Sequence, residues 1–192
     1  AVQLDVVSNQ AKRLLPVLVP FVENPRIQEL LQSWDFSYDE QSLGAHAFEL
    51  CYSAALRAFA YDLGGEWYLH ALANSELGVW WMEGLDRILA EPSVWEGERG
   101  RRLRESLAAV TDESLGPWGK IQQLEMRHMV VGGLPKWLGF DKGPFPLPGS
   151  RGTPRQSVHV PIGDGLVSTV APAFRMICDL GEDAIWATLP GG

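Results

Sequence analysis

Apolar residues recur at helical spacing through the first three fifths of the chain. Leu14, Leu15 and Leu18 form one such set, Ile27, Leu30, Leu31 and Trp34 a second, and Ala45, Phe48, Cys51, Ala55 and Phe59 a third. Two starts are marked by capping residues: Asn24 followed by Pro25 at the first helical position, and Ser42. Leu77, Trp80, Trp81, Leu85 and Ile88 predict one broad face on a helix over Ser75 to Leu89, and a further helix is expected from Glu98 to Val110. Residues 1–131 thus read as a helical bundle, with Trp34 packed where Leu30 and Leu31 meet Phe48 and Cys51.

The pattern then changes. In "VVGGLPKWLGFDKGPFPLPGSRGTPRQ" proline removes donors and glycine loosens the backbone, so 132–156 reads as a loop. Four β-type runs follow within 157–192: Ser157 to Pro161, Leu166 to Val170, Phe174 to Leu180 and Ala184 to Leu189. Gly163-Asp164-Gly165 and Gly181-Glu182-Asp183 supply turns. The last two runs are apolar on both faces, as in a covered sheet. The expected fold class is α+β, a mostly helical bundle over about 1–130 followed by the loop and by a few strands at the edge of a larger sheet. Left uncovered, those strands would recruit neighbouring chains, so self-association through Leu166 to Leu189, or disorder there, is expected rather than a quiet monomer.

Composition narrows the partners. Of the 192 residues, 16 are Lys or Arg and 24 are Asp or Glu, a net charge of -8, which argues against nucleic acid and against an anionic membrane surface. The basic stretch "ERGRRLRE" is interleaved with Glu98 and Glu105 and reads as the solvated face of a helix. No uninterrupted apolar run is long enough to cross a bilayer. Cys51 and Cys178 lie in apolar runs and read as buried free thiols, with one bridge between them left open.

The search for chemistry returns little. His46, His70, His128 and His159 are scattered, without a partner at zinc-ligand spacing. Glu125 and His128 have the Glu-x-x-His spacing of di-iron bundles, but a second such motif is missing, so His128 reads as a structural residue. Asp35 with Asp39, and Glu182 with Asp183, read as surface and turn acids. Gly149 and Gly152 in "PLPGSRGTP" lack a following helix and read as an ordinary loop rather than a phosphate cradle. Trp34, Trp80, Trp81 and Trp118 read as core. No catalytic, cofactor-binding or metal-ligating residue is assigned, and no cofactor is expected.

Several blocks in order carry a resemblance. "LDVVSNQAKRLLPVLV", "LLQSWDFSYDEQSLGAHAFELCYSAALRA", "PWGKIQQLEMRH", "GPFPLPGSRGT" and "APAFRMICDLGEDAIWATLPGG" together resemble the β-subunit of the penicillin acylase family, amidases of the N-terminal-nucleophile hydrolase class. Gln122 stands where that family often has His and Met126 where it often has Phe. "SRGTPRQ" replaces its usual Gly-Asp-x-x-Thr-Val. These departures mark a divergent member.

The resemblance implies hydrolysis of linear amide bonds by a Ser, Thr or Cys at the first position of the β-subunit, with its own α-amine as base. Ala1 has neither hydroxyl nor thiol, and the family's oxyanion Asn and calcium-binding residues precede the region matched. The expectation is a middle-to-late piece of a β-subunit, inactive by itself, which supplies scaffold and associates with the remaining parts of a parent acylase. A stand-alone helical binding or scaffold module is the alternative. The acyl group stays open among β-lactam side chains, acyl-homoserine lactones and lipopeptides. Many relatives are exported, so the resemblance allows an exported or periplasmic parent, while the residues themselves leave the compartment open.

Overall fold

The computed structural model describes residues 4–73, 78–126, 128, 130–159, 168–170 and 175–188. The fold is α+β. Among these residues the helices are α1 (Asn9–Leu18), α2 (Pro25–Ser33), α3 (Leu43–Ala60), α4 (Glu66–Ala73), α5 (Gly78–Leu89), α6 (Glu98–Leu107) and the short α7 (Trp118–Ile121). Three starts are fixed by side chains that satisfy the free amides of the first turn. Ser8 Oγ accepts from Ala11 N, Asn24 Oδ1 from Arg26 N and Ile27 N, and Ser42 Oγ from Ala45 N.

Helix α3 is the axle. It is buried on nearly every side from Gly44 to Ala60, as a helix surrounded by others must be. Leu14, Leu15 and Leu18 of α1, Ile27 and Leu31 of α2, and Leu103 and Leu107 of α6 join its Phe48, Cys51, Ala55 and Leu56 in one core. Trp34, just past α2, closes the near end. Its ring lies 5.8 Å from Phe48 and 5.4 Å from Tyr38, and its indole N–H donates to Ser37 O at 3.0 Å. Gly44 makes this possible, because a Cβ there would fall 2.4 Å from Trp34 Cγ.

Among the described residues the strands form three antiparallel pairs: β1 (Gln123–Met126) with β2 (Lys142–Pro146), β3 (Val158–His159) with β4 (Ser168–Val170), and β5 (Arg175–Asp179) with β6 (Ala184–Thr188). In the last, Ile177 pairs with Trp186 and Cys178 with Ile185.

Several expectations change here. The helical run ends at Ile121, and β1 and β2 lie in stretches read as helical part and loop: Leu124 pairs with Phe145 across a chain reversal that the Pro and Gly residues allow. Helix α6 stops at Leu107. On α5 the inward face is Met82, Leu85, Asp86 and Leu89, whereas Ile88 is exposed. Leu77, the turn Gly163 to Gly165 and the chain ends Ala1 and Leu189 to Gly192 lie outside the described residues, as do the side chains of Trp80, Trp81, His70 and His159. Cys178 is exposed, unlike buried Cys51, and both thiols are free, which removes the bridge. The final hairpin, read as buried, is bare: Met176, Leu180, Ile185 and Trp186 all face solvent, Leu180 at 95% exposure.

Candidate functional site

Helices α1, α3 and α5 leave room between them for polar groups, and the loop after β2 closes that space. Asp86 sits on the buried face of α5, one turn from both Met82 and Leu89. Gln10 Nε2 donates to its Oδ1 at 3.1 Å and the Tyr52 hydroxyl donates to the same oxygen at 2.6 Å. Arg151, reaching in from the loop with its side chain only 11% exposed, donates from Nη2 to Asp86 Oδ2 at 2.9 Å and to the Tyr52 oxygen at 3.0 Å. Beside this group the Tyr38 hydroxyl donates to Glu49 Oε1 at 2.8 Å.

Burial and charge set the protonation states. Desolvation, reinforced by Glu49, pushes the Tyr38 phenol well above its usual value. Burial does the same to Tyr52, where Arg151 opposes the shift and Asp86 adds to it. Both phenols are therefore neutral donors. Burial works against the charge on Arg151, but the carboxyl groups of Asp86 and Glu49 outweigh it and hold the guanidinium above its ordinary value. This is a buried ion pair with its remaining lone pairs supplied by phenol and amide donors, the condition under which such a pair is tolerated.

The loop itself is locked from several sides. Gly149 has φ 90°, a left-handed conformation that suits glycine, and its N–H donates to Tyr38 O at 2.9 Å. Its carbonyl accepts from the Trp118 indole at 3.0 Å and from Gln122 Nε2 at 3.2 Å, and Gln122 Nε2 also donates to Ser157 Oγ at 2.7 Å. Thr153 Oγ1 accepts from Ser150 N and donates to Arg155 O. "PLPGSRGTP" is a loop, and its middle is also a buried plug that bonds to Tyr38, to α5 and to α7.

The other residues weighed for chemistry are not assembled. Glu125 lies on β1, and His128 Nδ1 accepts from Val130 N and Val131 N at 3.2 Å each, a turn-building role. Asp35 Oδ1 accepts from Ser37 N and Asp39 Oδ2 from the Ser37 hydroxyl, while Asp179 Oδ1 accepts from Gly181 N and Glu182 N in the turn that carries Asp183. His46 Nδ1 accepts from Gly116 N at 3.0 Å, and burial lowers its pKa, which keeps the ring neutral. Cys51 is buried and its thiol is pushed up to about 12, so it is no nucleophile at neutral pH. Among the described residues no group of three or more His, Cys, Asp or Glu side chains could hold a metal ion. No described helix is long and apolar enough to cross a membrane.

Sequence reading missed Gln10, Tyr38, Glu49, Tyr52, Asp86 and Arg151. One signal was present: Asp86 falls at helical spacing inside an apolar stripe, where an acid needs a partner.

What the geometry defines is a helical α+β unit whose inward polar groups hold its own elements together. The penicillin amidase family model matches residues 1–192, and the chain belongs to that family. No curated protein matches it.

Proposed function

We propose that this chain forms the bracing part of an amidase that hydrolyses linear amide bonds, and that the attacking nucleophile comes from outside the described residues. The family match over all 192 residues carries this reading. The buried polar groups support it. Asp86, Arg151, Tyr52, Tyr38 and Glu49 are engaged with one another, His46 is held by a backbone amide, and Cys51 is too deeply buried to ionise. The buried hydroxyls of Tyr38 and Tyr52 are bound to carboxylates and that of Ser8 to a backbone amide, rather than to a base that would activate a nucleophile.

On the same reading the three hairpins join a larger sheet supplied by further parts of the acylase, which would cover Ile185 and Trp186. The test is direct. The purified chain is incubated with phenylacetyl and long-chain acyl anilides, alone and together with the remaining polypeptide of its reading frame. Silence alone and turnover when combined is the expected result. Turnover by the chain alone above the uncatalysed rate, surviving repurification, would overturn the scaffold role.

A further inference from the structure

The C-terminal end of α3, the start of α4 and the flank of α6 enclose a cleft of about 560 Å³ that the polar network does not reach. Arg57, Ala58, Tyr61, Gly65, Leu69, Arg102 and Glu105 line it, with Ser106 at its edge. We infer that this cleft binds a small organic carboxylate with an apolar body, its head on Arg57 and Arg102 and its body against Ala58, Leu69 and Tyr61.

Charge is the first argument. The protein carries -8 overall, yet here the balance reverses. Asp62 alone serves two guanidinium groups, accepting from Arg99 at 2.6 Å and from Arg102 at 2.7 Å. Arg57, exposed at the rim, adds a further cation without an ion-pair partner among the described residues. Glu105 also lines the cleft, but its carboxylate is engaged by Arg101 of the same helix.

Spare donors are the second argument. Arg102 donates one hydrogen bond, from Nη2 to Asp62, which leaves Nη1 without a partner among the described residues, and the guanidinium lies over the Tyr61 ring at 4.7 Å. A guanidinium fork matches a carboxylate in two parallel bonds, and a ring-stacked arginine is already oriented to offer them. The walls supply the third. Leu69 and Ala58 are buried side chains at the bottom of the cleft and Tyr61 is a large exposed ring beside it. A bare inorganic anion would leave that apolar surface wet, whereas a short aryl or alkyl acid would cover it. The volume lies in the range of small-molecule sites, roughly 300–1,000 Å³.

The experiment titrates the ¹⁵N-labelled chain with phenylacetate, with 2-phenylethanol as the uncharged counterpart and with inorganic phosphate, following the amides of Ala58, Tyr61, Gly65 and Leu69. Saturable one-to-one shifts with phenylacetate, and binding at least about tenfold weaker for the alcohol, are expected, as loss of a charged hydrogen-bonded head requires. Arg57→Gln should weaken phenylacetate by a similar factor and leave the unliganded spectrum otherwise unchanged, since Arg57 has no ion-pair partner among the described residues. Equal binding of the alcohol, phosphate saturating these amides as well as phenylacetate does, or no response to Arg57→Gln would each overturn the proposal.

Discussion

The helical region and the terminal hairpin have similar apolar content but opposite fates. Around α3 large side chains meet partners from other elements: Trp34 lies against Phe48 and Trp118 meets Tyr38 at 5.1 Å, while within the helix Phe48 stacks on Tyr52 at 6.1 Å. In β5 and β6 the main-chain ladder is regular, yet Ile185 and Trp186, which point to opposite faces, are both exposed. Hydrogen bonding between two strands does not supply a core. A hairpin needs a layer to bury its side chains against, and the helices here spend their apolar faces on one another.

This contrast can be broken most severely from inside. Trp34→Ala should remove roughly 3–5 kcal/mol, the range for truncating a buried aromatic. Glu98→Ala, on the outer face of α6, should change little, so equal denaturation midpoints for the two variants would show that Trp34 is not part of the core. Asp86→Ala should cost about as much, roughly 3–5 kcal/mol, because Arg151 is left as a buried cation and the Tyr52 and Gln10 donors lose their acceptor. Its surface counterpart, Asp62→Ala, breaks solvent-screened contacts to Arg99 and Arg102 and should cost far less. Urea unfolding of the pair measures the difference.

A smaller effect is expected from His46. Its folded-state pKa lies below the ordinary 6.5, mainly through burial, so the unfolded chain takes up a proton that the folded one resists. Stability from this group is complete above about 6.5 and falls as pH drops below that value toward the folded pKa. His46→Gln should flatten this loss in thermal melts between pH 7 and 5, and an unchanged slope would assign the acid sensitivity elsewhere.

The least effect on stability is expected at the hairpin. Ile185→Lys should shift the midpoint by no more than about 0.5 kcal/mol, as for an exposed site. The same change should reduce self-association of the chain at high concentration, since it puts charge on an apolar strand with an open edge. Light scattering checks this, and a strictly monomeric parent chain would refute the association.

The helices were legible because their signals are local. Asn24-Pro25 and Ser42 cap where they were read, since a cap needs only a side-chain oxygen and the amides two or three residues on. Exposure was less legible. Ile88 and Cys178 sit in apolar runs and still face solvent, because what covers a side chain depends on elements distant in sequence. The polar network was the least legible. Asp86 lies 76 residues from Gln10 and 65 from Arg151, and no spacing rule links a lone acid on one helix to a lone arginine after a proline-rich stretch. The same stretch hid β2, since Pro144 and Pro146 weaken a strand reading that an edge position tolerates.

The plug at Gly149 to Thr153 also sets an order of events during synthesis. Tyr52 and Arg151 are 99 residues apart, so the carboxylate, phenol and amide groups around Asp86 cannot be completed until the ribosome has delivered the segment after β2. At roughly 5–20 residues per second that is an interval of seconds, during which the nascent helices can form while Asp86 lacks its cation. Contacts of such long separation slow the final step and leave the earlier ensemble open to rearrangement. The helical core is first in sequence, but its last lock arrives late.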